Sequence, residues 1–265
     1  MHELQNIRDF LLDMDGTIYL GSRLFEGTIP SFLNRIRERG CRAVFLTNNS
    51  SASPLAYAEK LNGMGIDAGI GDIFTSGDAA AITLTKQFGH PPAVYLLGTP
   101  ALADHLAGYG IRAVNGTDTP PDCVLLGFDK TLTYERLETA CRLISAGLPY
   151  YATHPDLVCP VEGGFIPDAG AMMALIRAAT GRSPVVFGKP ERTMADAASE
   201  RYGLSPETTA MVGDRLSTDI RFANQAGVTA ILVLSGETTH SDYLAQHEVH
   251  ADWIFPSIRE LCDAL

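Results

Sequence analysis

Short apolar runs alternate with amphipathic stretches along almost the whole chain. Phe10-Leu11-Leu12 predicts a buried strand, and Ile29, Phe32, Leu33 and Ile36 then follow at i, i+3, i+4, i+7, the spacing of one helix face. Gly40 ends that helix and Ala43-Val44-Phe45-Leu46 predicts the next strand. Ser53-Pro54 is an N-cap followed by proline at the first helical position, and Leu55, Ala58 and Leu61 are expected to line the helix it starts. Ile73-Phe74 begins a short third strand. In the middle of the chain, 93–97, 124–126 and 150–152 are strand-like and 101–108, 134–146 and 170–179 helical, with Gly163-Gly164 as a hairpin turn. The last third reads as plain βα units: strands at Val185-Val186-Phe187, Ala210-Met211-Val212, 230–234 and Trp253-Ile254-Phe255, with helices at 193–202, 218–226 and 257–265. Alternation of this kind predicts an α/β protein with a doubly wound, mostly parallel sheet covered on both faces.

A parallel sheet offers ligands the carboxyl ends of its strands, so the residues that follow each strand carry the functional reading. Asp13-Met14-Asp15-Gly16-Thr17 follows the first strand and Thr47-Asn48-Asn49-Ser50 the second. Gly188-Lys189-Pro190 follows Phe187, and Gly213-Asp214 follows Val212, with Asp219 five residues on. Gathered on one edge, these carboxylates repel one another, and their desolvation is costly. A hard dication resolves the conflict, and Mg²⁺ takes oxygen ligands in octahedral geometry while keeping waters.

A phosphoryl-transfer scheme fits these residue types. Asp13 is the expected carboxylate nucleophile. Mg²⁺ is expected at Asp13, the backbone carbonyl of Asp15 and Asp214, with Asp219 reaching it through water and orienting Lys189. Asp15 is the expected general acid and then base, and Gly16 permits the turn that its two-residue offset requires. Thr47, Asn48 and Asn49 are expected to donate hydrogen bonds to the phosphate, and Lys189 to add fixed positive charge. Arg215 and Ser217 read as local structural contacts, and His105, His240, His247 and His250 as surface residues.

The chain resembles the haloacid-dehalogenase (HAD) superfamily of phosphatases, and within it the NagD-like group, class IIA. Asp13-x-Asp15-Gly16-Thr17 is similar to the first family motif, Thr47-Asn48-Asn49 to the second, Gly188-Lys189-Pro190 to the third and Gly213-Asp214 to Asp219 to the fourth. The resemblance spans nearly the whole chain. It implies a catalytic core over residues 1–78 and 184–265 and a smaller α/β cap domain of the C2 type over 79–183. The linkers are placed near Asp78 and Ser183 because the motifs lie outside that interval. The segments 152–156 and 166–171 resemble cap sequences, with His154 where an asparagine is usual and Asp168 where a glycine is usual. His154 and Asp156 are the cap candidates for substrate contact.

Composition narrows the partners. The 265 residues carry a net charge of −11, which argues against charge-driven binding of nucleic acid or anionic membrane. An acidic protein that binds a phosphorylated anion needs a local cation, which again points to a metal. No C-x-x-C pair occurs among five cysteines, the N-terminal segment lacks a signal-peptide core, and no run of about 18 apolar residues appears. A cytoplasmic protein with reduced thiols is the expectation. The expected activity is hydrolysis of small phosphomonoesters such as sugar phosphates, nucleoside monophosphates, phosphoglycolate or p-nitrophenyl phosphate, through an aspartyl-phosphate on Asp13. The group admits a homodimer through the cap. Mutase-type transfer conflicts with the short spacing between the first two motifs. A phosphoryl-receiving signalling module conflicts with Asp15, and a catalytically silent metabolite sensor with four intact motifs.

Overall fold

The computed structural model describes residues 3–21, 23–25, 29–115, 119–161 and 163–265. The Ile29 side chain, expected on a helix face, lies outside the described atoms. In chain order the strands are β1 (Asp9–Leu12), β2 (Tyr19–Leu20), β3 (Arg23–Leu24), β4 (Arg42–Thr47), β5 (Ile73–Thr75), β6 (Ala93–Leu97), β7 (Arg112–Val114), β8 (Cys123–Leu126), β9 (Tyr150–Ala152), β10 (Val158–Val161), β11 (Gly164–Pro167), β12 (Val185–Val186), β13 (Thr209–Gly213), β14 (Thr229–Val233) and β15 (Trp253–Phe255). The helices are α1 (Ile29–Glu38), α2 (Pro54–Gly63), α3 (Ser76–Phe88), α4 (Pro100–Ala107), α5 (Tyr134–Ser145), α6 (Ala169–Thr180), α7 (Arg192–Tyr202), α8 (Arg221–Ala226), α9 (His240–Ala245) and α10 (Ile258–Ala264). They fall into two compact units, one of Met1–Thr47, Pro54–Phe74 and Lys189–Leu265, the other of Asn48–Ser53 and Thr75–Gly188.

The first unit is built on a six-stranded sheet in the order β15-β14-β13-β1-β4-β5. Strand β1 pairs in parallel with β13 on one side and β4 on the other, with Leu12 opposite both Val212 and Phe45. Every residue of β1, β13 and β14 is buried, as a parallel sheet covered on both faces requires. Phe32, Leu33 and Ile36 of α1 turn inward, and the Phe32 ring meets Phe10 of β1 edge-on at 5.5 Å. Removing such a fully buried ring costs about 3–5 kcal/mol. From β1 the chain first winds toward β4 and β5 and later returns on the other side as β13. The crevice at the carboxyl ends of β1 and β13 is therefore the topological switch point, where ligands of such sheets bind.

The second unit carries a five-stranded sheet in the order β12-β9-β8-β6-β7, parallel throughout, and an antiparallel hairpin of β10 and β11. Helices α5 and α6 contribute Ala140, Ile144 and Ile176 to a core with Leu97, Val124, Leu126 and Tyr150. The short segment Asn48–Ser53 is fastened at the carboxyl edge of this sheet. Thr99 Oγ1 donates to the Ser51 carbonyl at 3.0 Å, and the Phe128 amide donates to Ser50 Oγ at 2.9 Å.

Three readings of the sequence change. Val185-Val186 was expected in the last run of βα units, but it pairs with Tyr151 and Ala152 in the second unit's sheet. Ala58 and Leu61 of α2 are buried as expected, but Leu55 is 50% exposed and Tyr57, next to Ala58 and one turn before Leu61, is buried in its place. The helix expected over 218–226 begins as a π-helical turn, Leu216–Ile220, and becomes α-helical only from Arg221. Asp78, near the expected linker, lies in α3 with no exposed surface. Among the described residues no helix is long and apolar enough to cross a membrane.

Candidate active site

Asp13 is the first residue past β1, and its amide donates to the Val212 carbonyl at 2.9 Å, so it leaves the sheet beside Gly213-Asp214. The chain then turns at once. Ile18 and Thr17 donate to the Met14 carbonyl at 2.8 and 3.3 Å, and Gly16 donates to the Tyr19 carbonyl at 2.8 Å. Gly16 has φ 89°, and a Cβ there would stand 2.4 Å from Asp214 Oδ2. Both the backbone conformation and the space require glycine.

Asp214 is 1% exposed and held from two sides: Thr17 Oγ1 donates to its Oδ1 at 3.2 Å and the Glu237 amide to its Oδ2 at 2.7 Å. A Cβ on Gly236 would lie 2.0 Å from Asp214 Oδ2, so the loop after β14 reaches the carboxylate only as glycine. Gly213 likewise makes room for Asp219, 2.4 Å from where its Cβ would be. Asp219 is fully buried and accepts from the Arg215 amide at 3.1 Å.

Lys189 is 2% exposed, and its ammonium donates to Asp13 Oδ1 at 2.5 Å, Asp219 Oδ1 at 2.7 Å and the Leu46 carbonyl at 3.4 Å. Those contacts tie the ends of β1 and β4 and the turn after β13 to one cation. Thr47 is half-buried at the end of β4. Ligand oxygens of Asp13, Asp214 and Asp219 come within 4.8 Å of one another, a donor set able to hold a metal ion.

The electrostatics follow from crowding. Burial pushes the Asp13 carboxyl well above its usual range; Lys189 pulls it down, and Asp219 and Asp214 push it up again. Burial, then Asp219, raises Asp214 to about 6 against the Glu237 amide, Arg215 and Thr17. Burial opposes the charge on Lys189, but Asp13 and Asp219 outweigh it and raise its pKa. Asp15 reaches solvent but is hemmed in by protein, so desolvation raises its carboxyl while Lys60 and Arg215 lower it. One lysine does not neutralise three gathered carboxylates, and the residual negative charge is what a dication would relieve.

The sequence-predicted residues Asp13, Asp15, Thr47, Lys189, Asp214 and Asp219 belong to the first unit, and Asn48, Asn49, His154 and Asp156 to the second. Within the second unit Asn48 Nδ2 donates to Asp156 Oδ2 at 3.1 Å, and Asn49 Oδ1 accepts from the Ser51 amide and hydroxyl, both at 2.8 Å. His154 has no exposed surface, and Asp156 is half-buried. Arg215, read as a local structural contact, pairs with Glu237 at 3.1 Å, and its charge also acts on Asp15 and Asp214. His105, expected at the surface, is packed against buried Asp78, with Nε2 at 3.1 Å from Oδ1. Sequence reasoning did not single out Thr17 or Gly236 as holding Asp214. Gly236 lies three residues beyond β14, and neither segment alone marks its approach to the end of β13.

Known proteins share this architecture. A family model of haloacid dehalogenase-like hydrolases matches residues 10–112, and a HAD-hydrolase-like model matches 186–261. An acid sugar phosphatase of Staphylococcus epidermidis is 33% identical over 90% of this chain and 91% of its own. The crystal structure of a 4-nitrophenylphosphatase from Thermotoga maritima superposes with a TM-score of 0.93 at 45% identity, covering 99% of each chain. A nagD protein superposes with a TM-score of 0.90 at 43% identity, covering 98% of this chain and 99% of that one. A glycerol phosphate phosphatase of Mycobacterium tuberculosis in complex with magnesium gives a TM-score of 0.91 at 34% identity, over 98% of this chain and 79% of that one. With this sheet order, this cluster at the switch point and these relatives, the chain belongs to the haloacid-dehalogenase superfamily as a NagD-like phosphatase.

Proposed function

We propose that the protein hydrolyses small phosphomonoesters in a Mg²⁺-dependent reaction through an aspartyl-phosphate on Asp13. The observation that carries this reading is the convergence of Asp13, Asp214 and Asp219 within 4.8 Å around the buried Lys189 ammonium. The site fits a divalent ion: its donors are hard oxygens, and burial, reinforced by neighbouring carboxylates, raises the Asp13 and Asp214 carboxyls, a conflict that a bound dication would relieve. Asp13, Asp214 and the Asp15 carbonyl would hold Mg²⁺, with Asp219 acting through water. Bound there, Mg²⁺ supplies charge neutralisation for the carboxylates and the transferring phosphoryl group.

The chain's own residues do the rest. Asp13 attacks phosphorus, and the phosphorus–oxygen bond to the leaving alcohol breaks. Asp15, whose raised pKa favours the protonated form, gives its proton to that leaving oxygen. Asp15 then takes a proton from the water that cleaves the acyl-phosphate. Lys189 holds Asp13 in one orientation and balances charge on the phosphoryl oxygens. Thr47, with Asn48 and Asn49 beyond it in the chain, donates hydrogen bonds to phosphate. Sugar phosphates, glycerol phosphate and p-nitrophenyl phosphate are the substrates to try first, since relatives are named for them. Nucleoside monophosphates and phosphoglycolate belong to the same chemical class. His154 and Asp156 belong to the second unit's share of substrate recognition. The protein's partners are small phosphorylated metabolites rather than nucleic acid or membrane, with a second copy through the cap as the macromolecular one. A cytoplasmic location suits such substrates.

The test is phosphate release from p-nitrophenyl phosphate. Turnover is expected with Mg²⁺ and is lost in EDTA, and Asp13→Asn abolishes it while the fold survives. Turnover retained by Asp13→Asn would end the covalent mechanism, and full activity in chelator would end the metal requirement.

A further inference from the structure

His154 is the centre of a buried hydrogen-bonded chain in the second unit that the phosphatase scheme does not use. Its ring nitrogens are both engaged: Nε2 stands 2.9 Å from Asp168 Oδ1, and Nδ1 stands 2.9 Å from Thr153 Oγ1 and 3.5 Å from Ser76 Oγ. Thr153 Oγ1 in turn lies 3.0 Å from Ser50 Oγ, which accepts from the Phe128 amide. Ser50, Ser76, Thr153, His154 and Asp168 are each at most 3% exposed. A carboxylate can only accept, so Nε2 carries the proton toward Asp168. One assignment satisfies these groups together: Nδ1 accepts from Thr153, Thr153 accepts from Ser50 and Ser50 accepts from the amide, while Ser76 gives its one proton to the Asn48 carbonyl and only packs against the ring. The Ser50 and Thr153 hydroxyls thus point the same way, from Phe128 to the ring.

The groups packed around this chain are the candidate substrate groups of the second unit. Ser76 Oγ donates to the Asn48 carbonyl, and Asn48 Nδ2 donates to Asp156 Oδ2 at 3.1 Å. Asp156 lies two residues after His154, and its carbonyl accepts from the Gly170 amide at 2.8 Å, two residues after Asp168. Gly188, one residue before Lys189, fits against both: its Cβ would lie 2.7 Å from Asn48 Oδ1 and 2.9 Å from His154 Cβ. His154, Asp156 and Asp168 could be read as a metal site, since ligand atoms of the three lie within 4.8 Å. The ring nitrogens, already spent on Asp168 and Thr153, argue against that.

From this geometry we infer that His154 is a positioning residue. Held between Asp168 and the Thr153 hydroxyl, it fixes the orientation of Asn48 and Asp156 without touching substrate. The inference rests on the phosphatase reading for its activity readout and on the hydrogen-bonded chain for its structural one. Its discriminating test is Thr153→Val, which removes the hydroxyl at nearly constant shape, beside Thr153→Ser, which restores it. At saturating Mg²⁺, Thr153→Val and His154→Ala are expected to lose about tenfold in kcat/KM, the scale of a sub-ångström misplacement, while Thr153→Ser stays within about twofold. The loss falls mainly on KM, and its size differs between glycerol phosphate and p-nitrophenyl phosphate, whereas a merely structural role moves the melting temperature alone. If His154→Ala does not fold, the threonine pair decides. By NMR the wild type should show a protected imidazole Nε2–H. Wild-type kcat and KM in Thr153→Val, equal losses in Thr153→Val and Thr153→Ser, or no protected imidazole N–H would each overturn the inference. An inactive wild type that shows the protected proton would count against the phosphatase reading instead.

Discussion

A buried carboxylate stays ionised only where donors replace the water it has lost, and Asp78 shows how this is done. It has no exposed surface, yet its Oδ1 accepts from Tyr109 at 2.6 Å and meets His105 at 3.1 Å, while Oδ2 accepts from the Thr75 amide and hydroxyl at 2.8 and 2.7 Å. Burial alone would raise its pKa; the hydrogen bonds and charge of His105, then Tyr109 and Thr75, win and lower it from 3.8 to about 2. The folded state therefore binds this proton less readily than the unfolded chain. The stabilisation is fully present above pH 3.8 and is lost as pH falls through about 2. A difference of that size is worth about 2 kcal/mol. Asp78→Asn should thus be less stable than wild type by about 2 kcal/mol at pH 7, with the gap closing toward pH 2. Denaturant unfolding across pH checks it, and a gap constant with pH would mean that the charge of Asp78 contributes nothing.

At the level of elements, the catalytic cluster depends on loops that approach each other without side chains. The loop after β14 reaches Asp214 through Gly236, where an added Cβ would overlap Oδ2 at 2.0 Å. Gly236→Ala must push that loop or the carboxylate aside, and the Glu237 amide goes with it. The expected result is a loss of about 10²-fold or more in kcat and a raised Mg²⁺ requirement, with little change in melting temperature. Wild-type kinetics in Gly236→Ala would show that Asp214 needs no such support. The four motifs were legible because each is an apolar run followed by an acid, amide or lysine; strand adjacency aligns the ends of β1, β4 and β13, whereas Lys189 follows β12 of the other sheet. Gly236 was not legible, because a close approach between β13 and β14 loops leaves no trace in either segment alone. The same limit explains Val185-Val186. Its apolar pattern predicts a strand, but the choice of β9 as partner depends on a contact with residues over 30 positions away. The π-turn at Leu216–Ile220 was hidden for a different reason. Apolar spacing tells a helix from a strand but does not separate i+4 from i+5 closure, and here the Arg215 carbonyl accepts from both Asp219 and Ile220, at 3.0 and 3.1 Å.

Across the whole molecule the net charge is −11, and it is concentrated locally where Asp13, Asp214 and Asp219 gather, with Lys189 bonded to Asp13 and Asp219. These acids should not be equivalent in the metal-free protein. Asp219 is committed to Lys189 at 2.7 Å, and its loss leaves a buried ammonium short of a counter-charge, at a cost of roughly 3 kcal/mol. Asp214 is the opposite case, since its pKa is raised to about 6. Its ionised form destabilises the folded state above that pH, and asparagine mimics the neutral acid. In EDTA at pH 7, Asp219→Asn should therefore be less stable than wild type and Asp214→Asn more stable, by about 1 kcal/mol or more. Added Mg²⁺ reverses part of this order. Ligand binding stabilises wild type by about 2.7 kcal/mol at a hundredfold excess over Kd, and Asp214→Asn loses most of that gain with its ligand. Unfolding measured in chelator and in Mg²⁺ separates the roles: Asp214→Asn weaker than wild type in chelator, or as responsive to Mg²⁺, would remove Asp214 from the metal site.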